Sequence, residues 1–98
     1  MNEKELKEKL GLDTLEDADL QGMDLEGADL RNANLRGVDL RWGNLRGANL
    51  RNADLRNANL WRANLKGADL RWADLKDADF ENANLKGAIL TGTILENK

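Results

Sequence analysis

Leucine stands at every fifth position from Leu20 to Leu95, and the single interruption, Phe80, is itself apolar. Around these sixteen centres one order of residues recurs from Ala18 to Asn97. The residue two before the centre is Ala in twelve pentads and otherwise Met23, Val38, Gly43 or Thr93. The residue directly before it is Asp or Asn in fourteen, with Ile89 and Ile94 as the exceptions.

A period of five suits neither regular element. On an α-helix five residues advance about 500°, so successive centres fall some 140° apart and visit every face. On a flat strand an odd period sends alternate centres to opposite faces. Both conflicts disappear if the chain turns a corner once per pentad, so that each side points its centre and its small residue inward. The pattern therefore predicts an all-β solenoid whose leucines face one axis. Alanine suits the second inward position, because a narrow core beside each leucine would be overpacked by anything larger.

The corners carry matching chemistry. Two residues after the centre stands Gly (22, 27, 37, 47, 67, 87, 92), Asn (32, 52, 57, 82, 97) or Asp77. Gly takes the positive φ of a type II turn without penalty and Asn tolerates it. Trp42, Arg62 and Trp72 fall outside this set, and a different turn type is expected at these three. Gly27, Gly47, Gly67 and Gly87 recur at twenty-residue intervals, which favours four sides per coil. Sixteen pentads then make about four coils, a stack of roughly 20 Å at about 4.8 Å per strand step.

Runs such as Ala28-Asp29-Leu30-Arg31-Asn32 and Ala48-Asn49-Leu50-Arg51-Asn52 resemble the A-(D/N)-L-x-x motif of the pentapeptide-repeat proteins, most of all their short cyanobacterial members. The resemblance covers residues 18–97 and implies a right-handed quadrilateral parallel β-helix. It also implies two kinds of role, a structural or protein-binding module and a mimic of duplex DNA that binds a type II topoisomerase such as gyrase.

The two ends of the chain differ. Residues 2–10 read as a short helix: Asn2 caps it, Glu5 completes the capping-box spacing, Leu6 and Leu10 share a face, and Gly11 ends it. Residues 1–17 are thus expected to be an N-terminal capping helix and lead-in, and 18–98 the β-helix, since a solenoid needs its end covered. At the carboxyl end Ile89 and Ile94 replace outward Asp or Asn. They mark either local packing or a place where a second copy stacks to form a weak homodimer.

Composition narrows the function. The chain has 98 residues without Cys or His, so no disulfide, thiol nucleophile or histidine base is available. No apolar run approaches the roughly 18 residues of a membrane span, and Met1-Asn2-Glu3-Lys4-Glu5 is too charged for a secretory signal. A cytoplasmic protein without cofactor, metal or enzymatic activity is expected. The net charge of −3 argues against direct nucleic-acid binding. Residues 31–72 nevertheless hold nine basic and three acidic residues, net +6, with Arg31, Arg51 and Arg71 in one column of a four-sided coil. That belt either attracts an anionic partner or neutralises itself through pairs three residues apart, such as Arg36/Asp39, Arg51/Asp54, Lys66/Asp69, Arg71/Asp74 and Lys76/Asp79. The aspartates and asparagines share one register, which assigns both to backbone hydrogen bonding near the turns and not to a metal.

Tryptophan departs furthest from the repeat. In a four-sided coil Arg41-Trp42 and Trp61-Arg62 share a side in adjacent coils, placing Trp42 beside Arg62 and Trp61 beside Arg41, while Trp72 lies opposite. These five residues are either stacking pairs of a drifting repeat or contacts to a protein partner, since Trp and Arg dominate binding hot spots. A DNA mimic would need continuous acidic faces, whereas the residue after the centre is Arg or Lys in ten of sixteen pentads.

Overall fold

The computed structural model describes residues 1–96; the corner expected at Asn97 and the terminal Lys98 lie outside them. The centres Leu20 to Leu75 are all at most 2% exposed, and Ala28, Ala33, Val38 and Ala48 lie beside them in one continuous core. Parallel bridges join residues twenty apart: Asp19 to Asp39 to Asn59 to Asp79, Asp24 to Asn44 to Asn64 to Asn84, Asp29 to Asn49 to Asp69 to Ile89, and Asn34 to Asp54 to Asp74. Four such columns make four sides. Each side contributes one bridged residue, because the chain turns again before a longer ladder can form.

The five N–H groups of a pentad account for its residue types. In the pentad 48–52, Ala48 N donates to Leu45 O across the corner (3.0 Å) and Asn49 N to Ala28 O in the preceding coil (2.9 Å). Leu50 N and Asn52 N donate to Asp69 O and Arg71 O in the following coil (2.7 and 3.0 Å). The fifth donor, Arg51 N, has no backbone acceptor and is taken by the Asn49 side-chain oxygen at 3.3 Å. A buried or half-buried N–H left without a partner is costly, so the residue before each centre must carry a short side-chain acceptor. All fourteen Asp and Asn at that position make this bond, from Asp19 accepting Gln21 N to Asn84 accepting Lys86 N.

Three expectations need correction. First, Trp42, Arg62 and Trp72 do not take another turn type: their φ angles are 62°, 56° and 63°, like every other described corner. Their N–H groups donate to Trp61 O, Glu81 O and Thr91 O in the next coil. The stack therefore imposes the left-handed conformation, at roughly 1–2 kcal/mol per non-glycine residue, whatever side chain stands there. Second, the described ion pairs do not run three residues forward. The side chains directly before and after a centre point outward together, so Arg31, Arg41, Arg56 and Arg71 pair with Asp29, Asp39, Asp54 and Asp69, two residues back. Third, the last pentad leaves the register. Bridging ends at Ile89, and the chain closes on itself: Thr93 Oγ1 donates to Leu90 O (2.7 Å) and accepts Leu95 N, while Glu96 Oε1 accepts Gly92 N.

At the other end the repeating turn begins one pentad before the alanine motif. Leu15 is fully buried, Asp17 has φ 60° and its N–H donates to Arg36 O. A helix, α1, spans Glu3–Leu10 with both halves of the Asn2/Glu5 capping box formed and Gly11 left-handed beyond it. Leu6 enters the core with no exposed surface. The segment also meets the first coil's open edge: Asp29 N donates to Met1 O (2.8 Å), Asn2 bridges Asp29, and Asn34 N donates to Glu3 Oε2 (3.0 Å).

Candidate interaction site

The twenty-residue register puts the corner residues Trp42 and Arg62 in one column, with Trp61 directly before Arg62. Because the corner forces a positive φ, its side chain is thrown outward from the coil. The Arg62 guanidinium carbon sits 5.1 Å from the centre of the Trp42 ring and 5.0 Å from that of Trp61. The two rings meet edge to face, 5.2 Å apart at 90°. Trp42 is 55% exposed, Arg62 is exposed and Trp61 half-buried.

Arg41 does not join this cluster, contrary to the expected stack on Trp61. Its guanidinium forks onto Asp39, with Nε at 2.9 Å and Nη2 at 2.7 Å from the two carboxylate oxygens. A charge-assisted fork is stronger than an exposed cation–π contact, so the nearer carboxylate wins. Asp39 is in turn held below the ordinary carboxylate range by the bond from Arg41, against a smaller opposing effect of burial. Arg62 has no acid two residues back, since Leu60 stands there, and its charge goes to the indoles instead. That one arginine serves both rings follows from the columns and not from the motif, whose spacing alone pairs each tryptophan with a separate arginine.

The energetics of this corner are close to balanced. Two cation–π contacts of about 0.5–1 kcal/mol each and one aromatic pair of about 0.5–1.5 kcal/mol stand against two left-handed non-glycine residues at roughly 1–2 kcal/mol each. Gly would fill both corners without strain, and Asn with less. The fold therefore gains little from Trp42 and Arg62, although they are held in one place.

Trp72 lies at the opposite corner, 64% exposed, with its ring seated on Gly92 so closely that a Cβ there would collide with it. Ile89 and Ile94 are 43% and 60% exposed beside the last coil, whose Phe80, Leu85 and Leu90 N–H groups have no partner among the described residues.

A family model described as pentapeptide repeats matches the chain in 8 copies, over residues 14–52, 44–82 and 53–92. Among solved structures, the pentapeptide repeat protein Rfr23 of the cyanobacterium Cyanothece 51142 is 43% identical with a TM-score of 0.77, over 80% of this chain and 54% of that one. This chain thus spans about half the length of Rfr23. A pentapeptide repeat protein of the Arabidopsis thaliana thylakoid lumen is 30% identical with a TM-score of 0.57, over 86% and 69% of the two chains. QnrB1, a plasmid-mediated fluoroquinolone resistance protein, shares the fold at 21% identity and a TM-score of 0.55, over 81% and 46%. No curated protein matches.

Proposed function

The chain belongs to the pentapeptide-repeat family, a right-handed quadrilateral β-helix, and from that premise we propose that it is a non-enzymatic module that binds a protein partner through its Trp–Arg corner. In this reading residues 1–17 are the capping helix and lead-in and 18–98 the repeat domain of about four coils. The cap closes the amino end, as the buried Leu6 and the bonds from Asp29 N to Met1 O and Asn34 N to Glu3 Oε2 suggest.

The observation that carries the reading is the Arg62 guanidinium held between Trp42 and Trp61 on an exposed corner. Its gain to the fold is cancelled by the backbone strain of forming it. Immobilised aromatic and arginine side chains bind with little further loss of conformational freedom, which is what interface hot spots require. Arg41, fixed by Asp39, flanks this corner, and Trp72, seated on Gly92, completes the proposed contact set from the opposite corner. Ile89 and Ile94, beside open N–H groups, are proposed to take a second copy of the chain in a weak homodimer. No described helix is long and apolar enough to cross a membrane, and a cytoplasmic location is part of the proposal.

The alternative that the family implies is a DNA mimic acting on a type II topoisomerase such as gyrase. It needs a continuous acidic face, and every side carries basic residues in mid-stack: Arg31, Arg51 and Arg71 on one, and Arg36 and Arg56, Arg41, and Arg46 and Lys66 on the other three. Affinity capture from a native lysate tests the leading reading, comparing wild type with Trp42→Ala/Trp61→Ala. A protein retained by the wild type and lost with the variant supports it. Identical captures, with unchanged circular dichroism, refute it. Inhibition of gyrase supercoiling at near-stoichiometric protein would favour the mimic.

A further inference from the structure

The column Arg31, Arg51, Arg71 borders a groove of about 300 Å³ lined by these three arginines, Asn32, Asn52 and Trp72. Its arginines are not equivalent. Arg31 forks onto Asp29 and Arg71 onto Asp69, each with Nε and Nη2 bonded to the carboxylate at 2.7–2.9 Å. Arg51 follows Asn49 in place of an aspartate, and its side chain makes a single bond, Nε to Asn49 Oδ1 at 3.3 Å. Arg36 and Arg46, which also follow asparagine, make no side-chain hydrogen bond to a described residue, but each has beside it a glutamate of the coil before that no other arginine forks, Glu16 at 3.9 Å and Glu26 at 4.0 Å. For Arg51 that place is taken by Arg31, and the nearest carboxylate, Asp69, lies 3.8 Å from Nε while already forked by Arg71. The terminal nitrogens of Arg51 therefore have no acceptor among the described residues.

The rest of the groove complements this open fork. Asn32 and Asn52 are exposed corner residues whose side-chain amides make no hydrogen bond to a described residue. Trp72, one coil step or about 4.8 Å further along the stack, is anchored on Gly92 and closes that end of the groove's lining. Two of the three arginines are neutralised by their own aspartates, which leaves one uncompensated positive charge. A carboxylate matches that charge, whereas a phosphate dianion would leave one negative charge unpaired; the fork geometry of guanidinium suits the carboxylate bidentately. The groove's volume is at the lower end for ligand sites and takes two side chains rather than a whole cofactor.

We propose that this groove docks an acidic segment of a partner protein, with one side-chain carboxylate on the Arg51 fork and a neighbouring aromatic ring on Trp72. The proposal rests on the reading of the chain as a protein-binding module and supplies the partner's chemistry at the corner opposite Trp42. The amides of Asn32 and Asn52 serve the partner's backbone, and specificity comes from requiring the anion and the ring together.

The test is a titration of the full 15N-labelled chain with the blocked dipeptides acetyl-Asp-Phe-amide and acetyl-Asn-Phe-amide, read at the indole N–H of Trp72 and the Nε–H of Arg51. The aspartyl peptide should give saturable shifts at both and bind about tenfold or more tightly than the asparaginyl one, as loss of a charge-assisted bond implies. Salt should weaken the aspartyl peptide alone. Arg51→Gln should lower its affinity by a similar factor with an unchanged melting temperature. Equal affinity of the two peptides, no saturable shift, or shifts confined to Trp42 and Trp61 would overturn the proposal. Tighter binding of adenosine monophosphate at the same signals would overturn it in favour of a phosphate ligand. Failure here, with capture still dependent on Trp42 and Trp61, would leave the protein-binding reading standing.

Discussion

Replacing Leu50 by Ala tests the stacked core where it is most enclosed. Leu50 has no exposed surface, and the ladder places it between Leu30 and Leu70 in the same column. The substitution removes three carbons, about 2.4 kcal/mol of transfer energy at roughly 0.8 kcal/mol each, and leaves a cavity that raises the cost to about 3–4 kcal/mol. The coil cannot collapse to fill it, since three of the five backbone donors in that pentad, on Asn49, Leu50 and Asn52, are tied to neighbouring coils. At roughly 4–8 °C per kcal/mol for a chain of this size, melting should fall by about 12–30 °C. Leu90 occupies the same column in the last coil and is half-buried. No described coil lies above it, so Leu90→Ala opens a dent and should cost only about 1 kcal/mol. Urea unfolding of both variants, followed by circular dichroism, gives the comparison. Equal losses at the two positions would refute the account in which enclosure by neighbouring coils sets the cost. Leu50→Asp should abolish folding, because its charge would face an axis with no partner, and an unchanged melt would refute the inward-leucine core altogether.

Gly92→Ala should lower the melting temperature, because its Cβ would meet the Trp72 ring; the loss should shrink in a Trp72→Ala background, and a cost independent of Trp72 would disprove that contact. Asp29, Asp39, Asp54 and Asp69 are held below the ordinary aspartate value of 3.8 by guanidinium bonds. A lowered folded-state pKa gives stability that is present above the unfolded value and lost as pH falls through the folded one. Melting should therefore be flat from about pH 7 to pH 5 and decline below 3.8, with a shallower decline for Asp54→Asn/Asp69→Asn; a parallel decline would exclude these pairs as the cause. Ile89→Asp with Ile94→Asp should shift sedimentation of concentrated protein towards monomer, whereas a wild type that stays monomeric at millimolar concentration removes the self-association proposal.

Some corrections trace to one cause. Taken one at a time, the residues Trp42, Arg62 and Trp72 favour a turn other than the left-handed corner. In the stack, the corner N–H belongs to a hydrogen-bonded column, and one bent corner would break bonds in two coils. Neighbour coupling outweighs roughly 1–2 kcal/mol of local strain. The ion pairs follow the same logic. A carboxylate two residues back shares the outward face of one side, while one three residues forward lies around a corner.

The repeat by itself determined the inward leucines and alanines and the corner positions, favoured a twenty-residue coil, and assigned aspartate and asparagine to backbone hydrogen bonding near the turns. Each of these is a local rule repeated without change, and a period can be read from a string of letters. Only the tertiary structure decided which neighbours share a charge. Arg62 serves two tryptophans, one of them twenty residues back; Arg41 turns away to Asp39; Arg51 has beside it only a carboxylate already forked by Arg71, because Arg31 stands where an unforked glutamate lies beside Arg36 and Arg46. These outcomes depend on distances between side chains in adjacent coils, where differences near one ångström select among partners of similar energy, and no spacing along the chain encodes them.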